Sequence, residues 1–474
     1  MRDFPVRLGR GPQILNSRNA RDRARSLVAA ILIGTLVAAC GGSTASSNSS
    51  STIPTQPAPT AATQPSASGN LTGTIRVAAW GDWKFMEALG VEYAKTHPGV
   101  TVTLEAVPGL EWFQQLPQIL STTSAPDVFT LNGAPQLIDP VRAKPELVVD
   151  LSDVWASDGI AAAVDASTAA KYTEKNGGHL AVPFMQGWIG NVVYNKDLFT
   201  TLGIAAPAGP VATAEEWDRI TTALTAAGKT PLALAMGDFI MAQVLYFTFA
   251  QTSCGNDWYA EIIDGWRPGA TPKAKFSDPC SVRAFEKVKE WGDQGVFGTA
   301  AASRTRAQAE TLFNTGAAGM ILTGQWQAEV LKTANAAFKP GWFLIPPVDP
   351  SIPTLFQVSD QDTLAVASRS SNIPLAVDFV RFAVSKDTEE LLFGLGRIPV
   401  RQDVAVPATF DPFLGDQFAS IPKHGLVQNG ASNVAAGIND RLQTGLQELL
   451  VGQITAQALS EDVEGIASKL RSGQ

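Results

Sequence analysis

The stretch TIRVAAWGDWKFMEALGVEYAKTHPGVTVTLEA, residues 74–106, decides which fold class the sequence predicts. Residues 74–79 are a β-rich run that ends in a turn at residues 80–82. Apolar residues at helical spacing follow, at Phe85, Leu89 and Tyr93. Residues 100–106 then predict a second strand after Pro98-Gly99. A strand, a helix and a strand at this spacing predict a βαβ unit with parallel strands.

The same kind of unit recurs along the chain. Thr213 and Glu216 have the spacing of a capping box at the start of a helix, and Asp278-Pro279 predicts another helix start. The remaining predicted elements are helices at 112–120, 305–314, 374–394 and 433–470 and strands at 127–131, 231–235 and 317–322. We therefore predict an α/β protein with mostly parallel sheets, whose ligands bind outside the carboxyl ends of strands.

The first 39 residues predict an export signal. Seven arginines precede an apolar run at residues 27–39, which is too short to span a bilayer as a stable helix. Val37-Ala38-Ala39-Cys40 resembles the lipobox of bacterial lipoproteins, in which the cysteine is acylated and becomes the mature N-terminus. The alternative is an ordinary signal peptide with an incidental cysteine.

Residues 41–70 consist of small and polar residues with a single isoleucine, so they cannot bury a core. We interpret residues 40–70 as a lipidated cysteine followed by a flexible tether. Thirty residues of flexible coil have an end-to-end distance of about 30 Å, enough to hold a domain clear of lipid head groups.

The charge of the chain argues against a nucleic-acid partner. The formal net charge is −8, and it becomes −13 without the first 39 residues, which hold seven basic and two acidic residues. Binding to phosphate backbones requires clustered basic residues, which the sequence lacks. No second apolar run is long enough to span a membrane, so we expect the lipid to be the sole anchor.

Cys254 and Cys280 are the cysteines that remain after Cys40. In an exported protein, an even number of remaining cysteines favours a disulfide, and two free buried thiols are the alternative.

The order and spacing of several motifs resemble those of extracellular solute-binding proteins of family 1, the sugar receptors of ABC importers, such as the maltodextrin-binding proteins. The matching segments are Ala181-Val182-Pro183-Phe184, Val193-Tyr194-Asn195-Lys196-Asp197-Leu198, Thr213-Ala214-Glu215-Glu216-Trp217, Gly228-Lys229-Thr230-Pro231, Gly316-Ala317-Ala318-Gly319-Met320, Gly324-Gln325-Trp326 and Arg397-Ile398-Pro399-Val400. The resemblance covers nearly all of the chain after the tether.

The resemblance implies two α/β lobes joined by three crossover segments. Residues 71–186 and 353–405 would form the first lobe, and residues 189–350 and 406–474 the second. The hinges would lie at residues 187–190, near Pro350 and near Val404. The lobes would close over a ligand by hinge motion.

A sugar site needs aromatic rings against the C–H face of a pyranose and carboxylates or amides for its hydroxyls. Residues of these types follow the predicted strands, and several occupy positions at which the family contacts ligands. The candidates are Trp80, Asp82, Lys84 and Asn132 in the first lobe, Asp238, Phe239 and Trp326 in the second, Gln186 and Trp188 at the crossover, and Asp360.

Several candidates also have a structural interpretation: Trp326 suits a core tryptophan, and Lys84 suits a solvated surface charge. Asp82 and Asp238 suit helix caps, Asn132 beside Gly133 suits a turn, and hinge packing would use Gln186 and Trp188. Trp217 and Trp291 fall on apolar helix faces, and we predict that both lie in the core.

No catalytic or metal motif is present in the sequence. The three histidines are scattered, and neither a G-x-S-x-G elbow nor a P-loop occurs. Carboxylates are plentiful, so composition alone leaves a glycoside hydrolase open. A purely structural surface lipoprotein is a further class.

We therefore expect a monomeric, non-enzymatic receptor that captures a sugar, needs no cofactor or metal, and delivers its ligand to the permease subunits of an ABC importer. A polyol, a polyamine or a phosphorylated compound is the alternative ligand. The protein would be exported and held at the outer face of the cell membrane by its lipid.

Overall fold

The computed structural model describes residues 71–80, 85–107, 112, 115–157, 159–237 and 240–473. These residues belong to the compact unit Ser66–Gln474. Five predicted functional residues lie outside the described residues, namely Cys40, Asp82, Lys84, Asp238 and Phe239, as do the predicted signal peptide and tether.

The described strands are β1 Gly73–Trp80, β2 Val100–Val107, β3 Val128–Asn132, β4 Val182–Asn195, β5 Thr230–Ala233, β6 Ala318–Gly324, β7 Pro340–Leu344, β8 Phe356–Val366, β9 Ile398–Pro399 and β10 Leu426–Gln428. They form one mixed sheet whose main path has the order β2-β1-β3-β8-β4-β6-β5. β10 also pairs with β8, and β7 and β9 pair with β4.

The predicted N-terminal βαβ unit is present. β1 pairs in parallel with β2 on one side and with β3 on the other. The intervening helix, Phe85–Thr96, buries Phe85, Leu89 and Tyr93 against the sheet, which are the residues of the predicted apolar face. The α/β fold class is therefore confirmed, with parallel pairing within the βαβ units.

The second unit is built on β5 and β6, which are also parallel. The helix Ala214–Ala226 begins with a complete capping box, as its sequence predicted. The Thr213 hydroxyl accepts a bond from the Glu216 backbone N–H, and the Glu216 carboxylate accepts one from the Thr213 N–H. Two of the unpaired donors at this helix start are satisfied in this way.

The predicted helix start at Asp278-Pro279 is confirmed, with Asp278 as the N-cap residue and Pro279 as the first helical residue, but the Asp278 side chain makes a different contact. Asp278 precedes the helix Pro279–Asp293, but its carboxylate does not cap that helix. Instead it accepts hydrogen bonds from the Lys275 backbone N–H at 2.9 Å and from Trp258 Nε1 at 2.7 Å. The indole competes for the carboxylate, and no local sequence pattern signals that contact.

Two long strands, β4 and β8, cross the middle of the sheet. They pair with each other antiparallel, from Val182 opposite Leu364 to Ile189 opposite Gln357. The second half of β4 continues antiparallel to β6 and β7. A register shift near Gly190, whose φ is +89°, marks the change of partners, because residues other than glycine rarely adopt that backbone conformation.

Buried apolar side chains form two large cores. The first core holds residues between Ile75 and Met185 and between Leu364 and Val400. The second core holds residues between Ile189 and Ile345 and between Ala431 and Ala467. A smaller group, here called the junction cluster, comprises Trp188, Leu344, Phe356, Phe393, Ile398, Phe410 and Leu414. β4 thus passes from the first core to the second.

Trp217 and Trp291 both lie in the second core, where each is 1% exposed and their rings stack at a centroid distance of 4.2 Å. The prediction that these tryptophans are core residues is confirmed.

The helices of the first core's chain segments are Phe85–Thr96, Leu116–Leu120, Pro135–Arg142, Ser152–Ala156, Ile160–Ala163, Ala166–Lys171, Ile373–Ala383 and Lys386–Gly394. The other helices are Lys196–Thr201, Ala214–Ala226, Met241–Cys254, Asn256–Asp264, Pro279–Asp293, Arg306–Asn314, Gln327–Thr333, Pro412–His424, Gly430–Asn433, Ala436–Leu450 and Ala456–Arg471. None of the described helices combines the length and apolar character needed to cross a membrane.

Candidate functional site

The ends of β1, β3 and β6 and the middle of β4 and β8 carry the predicted ligand residues. Trp80 is the last residue of β1, Asn132 the last of β3, and Asp360 lies within β8. Trp326 follows the end of β6 by two residues, and Gln186 and Trp188 lie within β4.

Asn132 is half-buried and held in a fixed orientation. Its Nδ2 donates to Asp362 Oδ1 of β8 at 3.0 Å, and its Oδ1 accepts the Ala134 backbone N–H at 2.9 Å. The second bond is the turn contact that the sequence allowed. The first bond adds a carboxylate, Asp362, that the sequence analysis did not single out, so an amide and a carboxylate lie together at the end of β3.

The backbone beneath this pair is tightly packed. Tyr172 is 1% exposed, and its hydroxyl donates to the Gln361 carbonyl at 2.9 Å. A Cβ atom at Gly133 would lie 2.2 Å from that hydroxyl oxygen. Gly133 is therefore required by the close approach of Tyr172, which supports the loop that follows β3.

Trp326 is half-buried beside the second core. Its ring packs over the backbone of Gly324, where a Cβ atom would lie 2.2 Å from Cζ3 of the indole. The Arg306 guanidinium lies 5.2 Å from the ring centroid, a cation–π distance. These two contacts fix the indole, and part of its surface remains exposed.

Gln186 and Trp188 lie where β4 passes from the first core to the second. Gln186 is half-buried, and its Nε2 donates to the Pro399 carbonyl at 3.3 Å. Trp188 is 2% exposed, and its Nε1 donates to Gln417 Oε1 at 2.7 Å. These contacts favour the hinge-packing interpretation of both residues, and ligand contact by either stays a prediction.

Gly187 allows Gln325 to approach β4. A Cβ atom at Gly187 would lie 2.1 Å from Gln325 Nε2, and the Gln325 backbone N–H donates to the Trp188 carbonyl at 3.0 Å. Gln325 is 6% exposed, and within the described part of the chain its Oε1 accepts no hydrogen bond. An unused buried acceptor thus lies directly before Trp326.

Arg397 is, with Asp362, a site residue that the sequence analysis missed. Its side chain is 3% exposed, its Cζ lies 4.6 Å from the centroid of the Phe85 ring, and its Nη2 pairs with the Glu329 carboxylate. Phe85 belongs to the first core, whereas Glu329 lies on the helix that contributes Leu331 to the second. The motif Arg397-Ile398-Pro399-Val400 is part of the family resemblance, and it is the sequence signal that could have identified Arg397.

The segment after Arg397 rests on a buried carboxyl group. Glu389 is fully buried, and its Oε2 accepts the Arg401 backbone N–H at 2.9 Å. Burial raises the pKa of Glu389 well above its ordinary value, and the hydrogen bond and charge of Arg401 oppose that shift. This carboxyl group supports the loop that positions Arg397 and β9.

The described residues contain no group of three or more histidine, cysteine, aspartate or glutamate side chains placed to hold a metal ion. The arrangement that is present consists of an amide–carboxylate pair on β3 and β8, a partly exposed tryptophan after β6 and a buried arginine before β9. Such groups bind polar ligands by hydrogen bonds and stacking.

The chain belongs to the bacterial extracellular solute-binding protein family, whose model matches residues 81–390. Solved structures of two-lobe solute-binding proteins share its fold. A chitin oligosaccharide binding protein is 18% identical, with a TM-score of 0.70, over 84% of this chain and 99% of that one. No curated protein sequence gives a significant match.

Two further structures illustrate the range of the fold. The GacH receptor of Streptomyces glaucescens, solved unliganded and with acarbose, is 20% identical, with a TM-score of 0.67, and the match covers 85% of this chain and 99% of that chain. The substrate-binding protein Lmo0181 of Listeria monocytogenes, in complex with cycloalternan, is 15% identical, with a TM-score of 0.66, over 84% and 98% of the two chains.

Proposed function

We propose that this protein is the substrate-binding component of an ABC importer and that it captures a sugar, either an oligosaccharide or a glucoside. The observation that carries the proposal is the family match over residues 81–390, combined with polar and aromatic residues at strand ends of both cores. Binding would involve no covalent chemistry.

Two kinds of evidence support a sugar as the ligand. Solved proteins of the same fold include a chitin oligosaccharide binding protein, a complex with raffinose and a complex with cycloalternan. In this chain, Trp326 offers an aromatic surface, and Asn132 with Asp362 offers an amide and a carboxylate. A pyranose presents the complementary C–H face and hydroxyl groups.

The proposed ligand contacts are Trp80, Asp82, Lys84, Asn132, Gln186, Trp188, Asp238, Phe239, Trp326 and Asp360. To these we add Arg397 and Asp362, on the basis of their positions beside Phe85 and Asn132.

We infer a hinge motion from the arrangement of the two cores. β4 and β8 join them. The separation of the cores supports the proposed lobes, residues 71–186 with 353–405 and residues 189–350 with 406–474. Contacts made to the ligand by both lobes would stabilise the closed form.

The resemblance of Val37-Ala38-Ala39-Cys40 to a lipobox supports anchoring by an N-terminal lipid at the outer face of the membrane, from which a monomeric receptor would pass its ligand to permease subunits. Replacing Cys40 with Ser should release the protein from the membrane fraction or leave its precursor unprocessed. Normal fractionation of that variant, with no acyl mass on the native protein, would contradict lipid anchoring.

The test of ligand class is a thermal-shift panel on the purified protein. It should contain neutral oligosaccharides and glucosides together with polyols, polyamines and phosphorylated compounds. A ligand at 100 times its Kd adds about 2.7 kcal/mol to the free energy of unfolding, so the melting temperature of the protein should rise clearly. Stabilisation by a polyamine or polyol alone would favour the alternative ligand class.

A glycoside hydrolase is the enzymatic alternative, because the chain is rich in carboxylates. Each stabilising oligosaccharide should therefore be incubated with the protein and analysed by chromatography. Recovery of the intact sugar is expected of a receptor, whereas shorter products would identify an enzyme.

A further inference from the structure

A surface cavity lies on the chain segments that form the second core, and its lining differs from the strand ends described above. Its volume is about 750 Å³, within the range of small-molecule sites. Its walls are the start of β7, the loop at residues 208–210, and the helix Pro412–His424. None of the proposed sugar contacts lines it.

The walls of this cavity carry an excess of positive charge. Lys196, Lys339 and Lys423 line it with His424, and Asp416 is the acidic residue among them. The Lys196 backbone N–H donates to the Lys339 carbonyl at 3.0 Å, which places these two lysines side by side. The three lysines form no ion pair with other described residues, in a protein whose net charge is −8. Such a local excess of cations attracts an anion.

An aromatic ring lines the same cavity. Trp342 is half-buried, its Nε1 donates to Asp416 Oδ2 at 2.8 Å, and its ring lies 5.5 Å from the ring of the buried Phe356. These two contacts fix the indole. Asp416 keeps its negative charge, but the three lysines of the wall outnumber this carboxylate.

We propose that this cavity is a second binding site and that its ligand is an anionic saccharide. Trp342 would stack on the sugar ring, and Lys339 and Lys423 would pair with a carboxylate or phosphate on that sugar. This inference does not depend on the proposed sugar site at the strand ends. It would give the protein a separate means of recognising acidic sugars.

The test is calorimetric titration of the purified protein with matched charged and neutral sugars. Galacturonate is compared with galactose, and glucose 6-phosphate with glucose, so that the two comparisons distinguish a carboxylate from a phosphate. We expect at least one charged sugar to bind at least tenfold more tightly than its neutral partner. The difference should shrink as salt is raised, because exposed charges are screened.

Two variants locate the binding. The double variant Lys339→Ala/Lys423→Ala should weaken binding of the charged sugar about tenfold, and Trp342→Ala should weaken it severalfold. The control Lys144→Ala/Lys332→Ala removes the same charge from exposed lysines outside the cavity and should leave the affinity unchanged. Melting curves establish that each variant is folded, since Lys423 also lies in the last turn of its helix.

Equal affinity for the charged and neutral sugars would overturn the proposal. So would inorganic phosphate that binds as tightly as glucose 6-phosphate, because the sugar ring would then contribute nothing. Affinity that survives both cavity variants would place the site elsewhere and would also overturn it.

Discussion

At the scale of single residues, Trp326 offers the sharpest test of the proposed sugar site. Its indole is half-buried over Gly324 and is stacked near Arg306. Trp326→Ala should remove a stacking surface and weaken binding of the sugar identified by the ligand panel by roughly 5- to 150-fold, or about 1–3 kcal/mol. Calorimetric titration measures the affinity, and a melting curve on the same variant measures stability.

The matched control is Trp291→Ala, in which a fully packed core tryptophan is lost. That change should cost roughly 3–5 kcal/mol of stability. If Trp326→Ala destabilises the protein to the same extent and leaves the affinity unchanged, Trp326 is a structural residue and the stacking role is wrong.

Glu389 predicts a dependence of stability on pH. Burial raises its pKa above the ordinary value of 4.5, so the folded protein retains a proton that the unfolded chain releases. The contribution of this proton to the free energy of unfolding is fully present below pH 4.5, and it is lost as the pH rises through the raised pKa. The loss is at most about 1.4 kcal/mol per pH unit.

Glu389→Gln should flatten this part of the pH profile, since the amide keeps the shape of the protonated carboxyl group. Urea unfolding between pH 5 and 8 should show the variant gaining relative to the native protein as pH rises. The free energy of unfolding of the native protein must be subtracted from that of the variant at each pH. His179, whose pKa is lowered by burial, makes the stability of both proteins rise with pH and cancels in this difference. Glu390→Gln, at an exposed neighbour, is the control. Parallel profiles of all three proteins would show that Glu389 is not the responsible group.

The candidate site also shows which residues a sequence can and cannot reveal. Asn132 and Trp326 were found because each follows a recognisable strand end. Asp362 and Arg397 were missed because their positions depend on partners distant in sequence, Asn132 for the first and Glu329 for the second. Local sequence patterns do not indicate such long-range pairs.

At the scale of elements, the disulfide that the sequence favoured, between Cys254 and Cys280, is present in the structure and joins two helices of the second core. Cys254 ends the helix Met241–Cys254, Cys280 lies in the first turn of Pro279–Asp293, and their Cα atoms are 5.1 Å apart. The same helices are also joined by a bond from Ser253 Oγ to the Cys280 carbonyl and by the stacked rings of Tyr246 and Phe285. The helices should therefore stay packed without the sulfur bridge.

The double variant Cys254→Ser/Cys280→Ser should fold and lose about 3–4 kcal/mol of stability in the chain-entropy model, given a sequence separation of 26 residues. Urea unfolding of the oxidised native protein and the variant measures this loss. Peptide mapping without reductant should recover the two cysteines linked. Recovery of both as alkylated free thiols would contradict the bridge.

The strands show where prediction from sequence succeeds and where it fails. β1, β2, β3, β5 and β6 are short runs bounded by turn residues, and these signals are local. β4 contains Gly187 and Gly190, which interrupt its apolar pattern and suggest a break between elements. Pairing with β8 and β6 nevertheless keeps it continuous, and that pairing involves residues more than 100 positions away.

At the scale of the whole molecule, the two cores are connected by strands that pass between them and by side chains that touch both. Gln417 fixes the crossing strand β4, because its Oε1 accepts hydrogen bonds from Trp188 Nε1 and Asn191 Nδ2 of that strand. Arg397 is a side chain that touches both sides. It packs on Phe85 of the first core and pairs with Glu329 beside the second. Separation of the cores at the strand ends must break the contacts of Arg397.

Glu329→Gln should therefore loosen the junction between the two cores. The substitution leaves the buried Arg397 without its charged partner, and loss of one partner of a buried ion pair costs 3–5 kcal/mol. Glu329 is 27% exposed, so solvent screening reduces the expected loss of stability to about 1–3 kcal/mol. Small-angle X-ray scattering of the ligand-free variant should give a larger radius of gyration than that of the native protein, because the open arrangement is no longer opposed by the pair.

Glu286→Gln, on an exposed helix face of the second core's segments, removes the same charge away from the junction and should change neither quantity. If the scattering curves of all three proteins coincide while the stability of Glu329→Gln falls, the ion pair stabilises the fold without holding the two cores together.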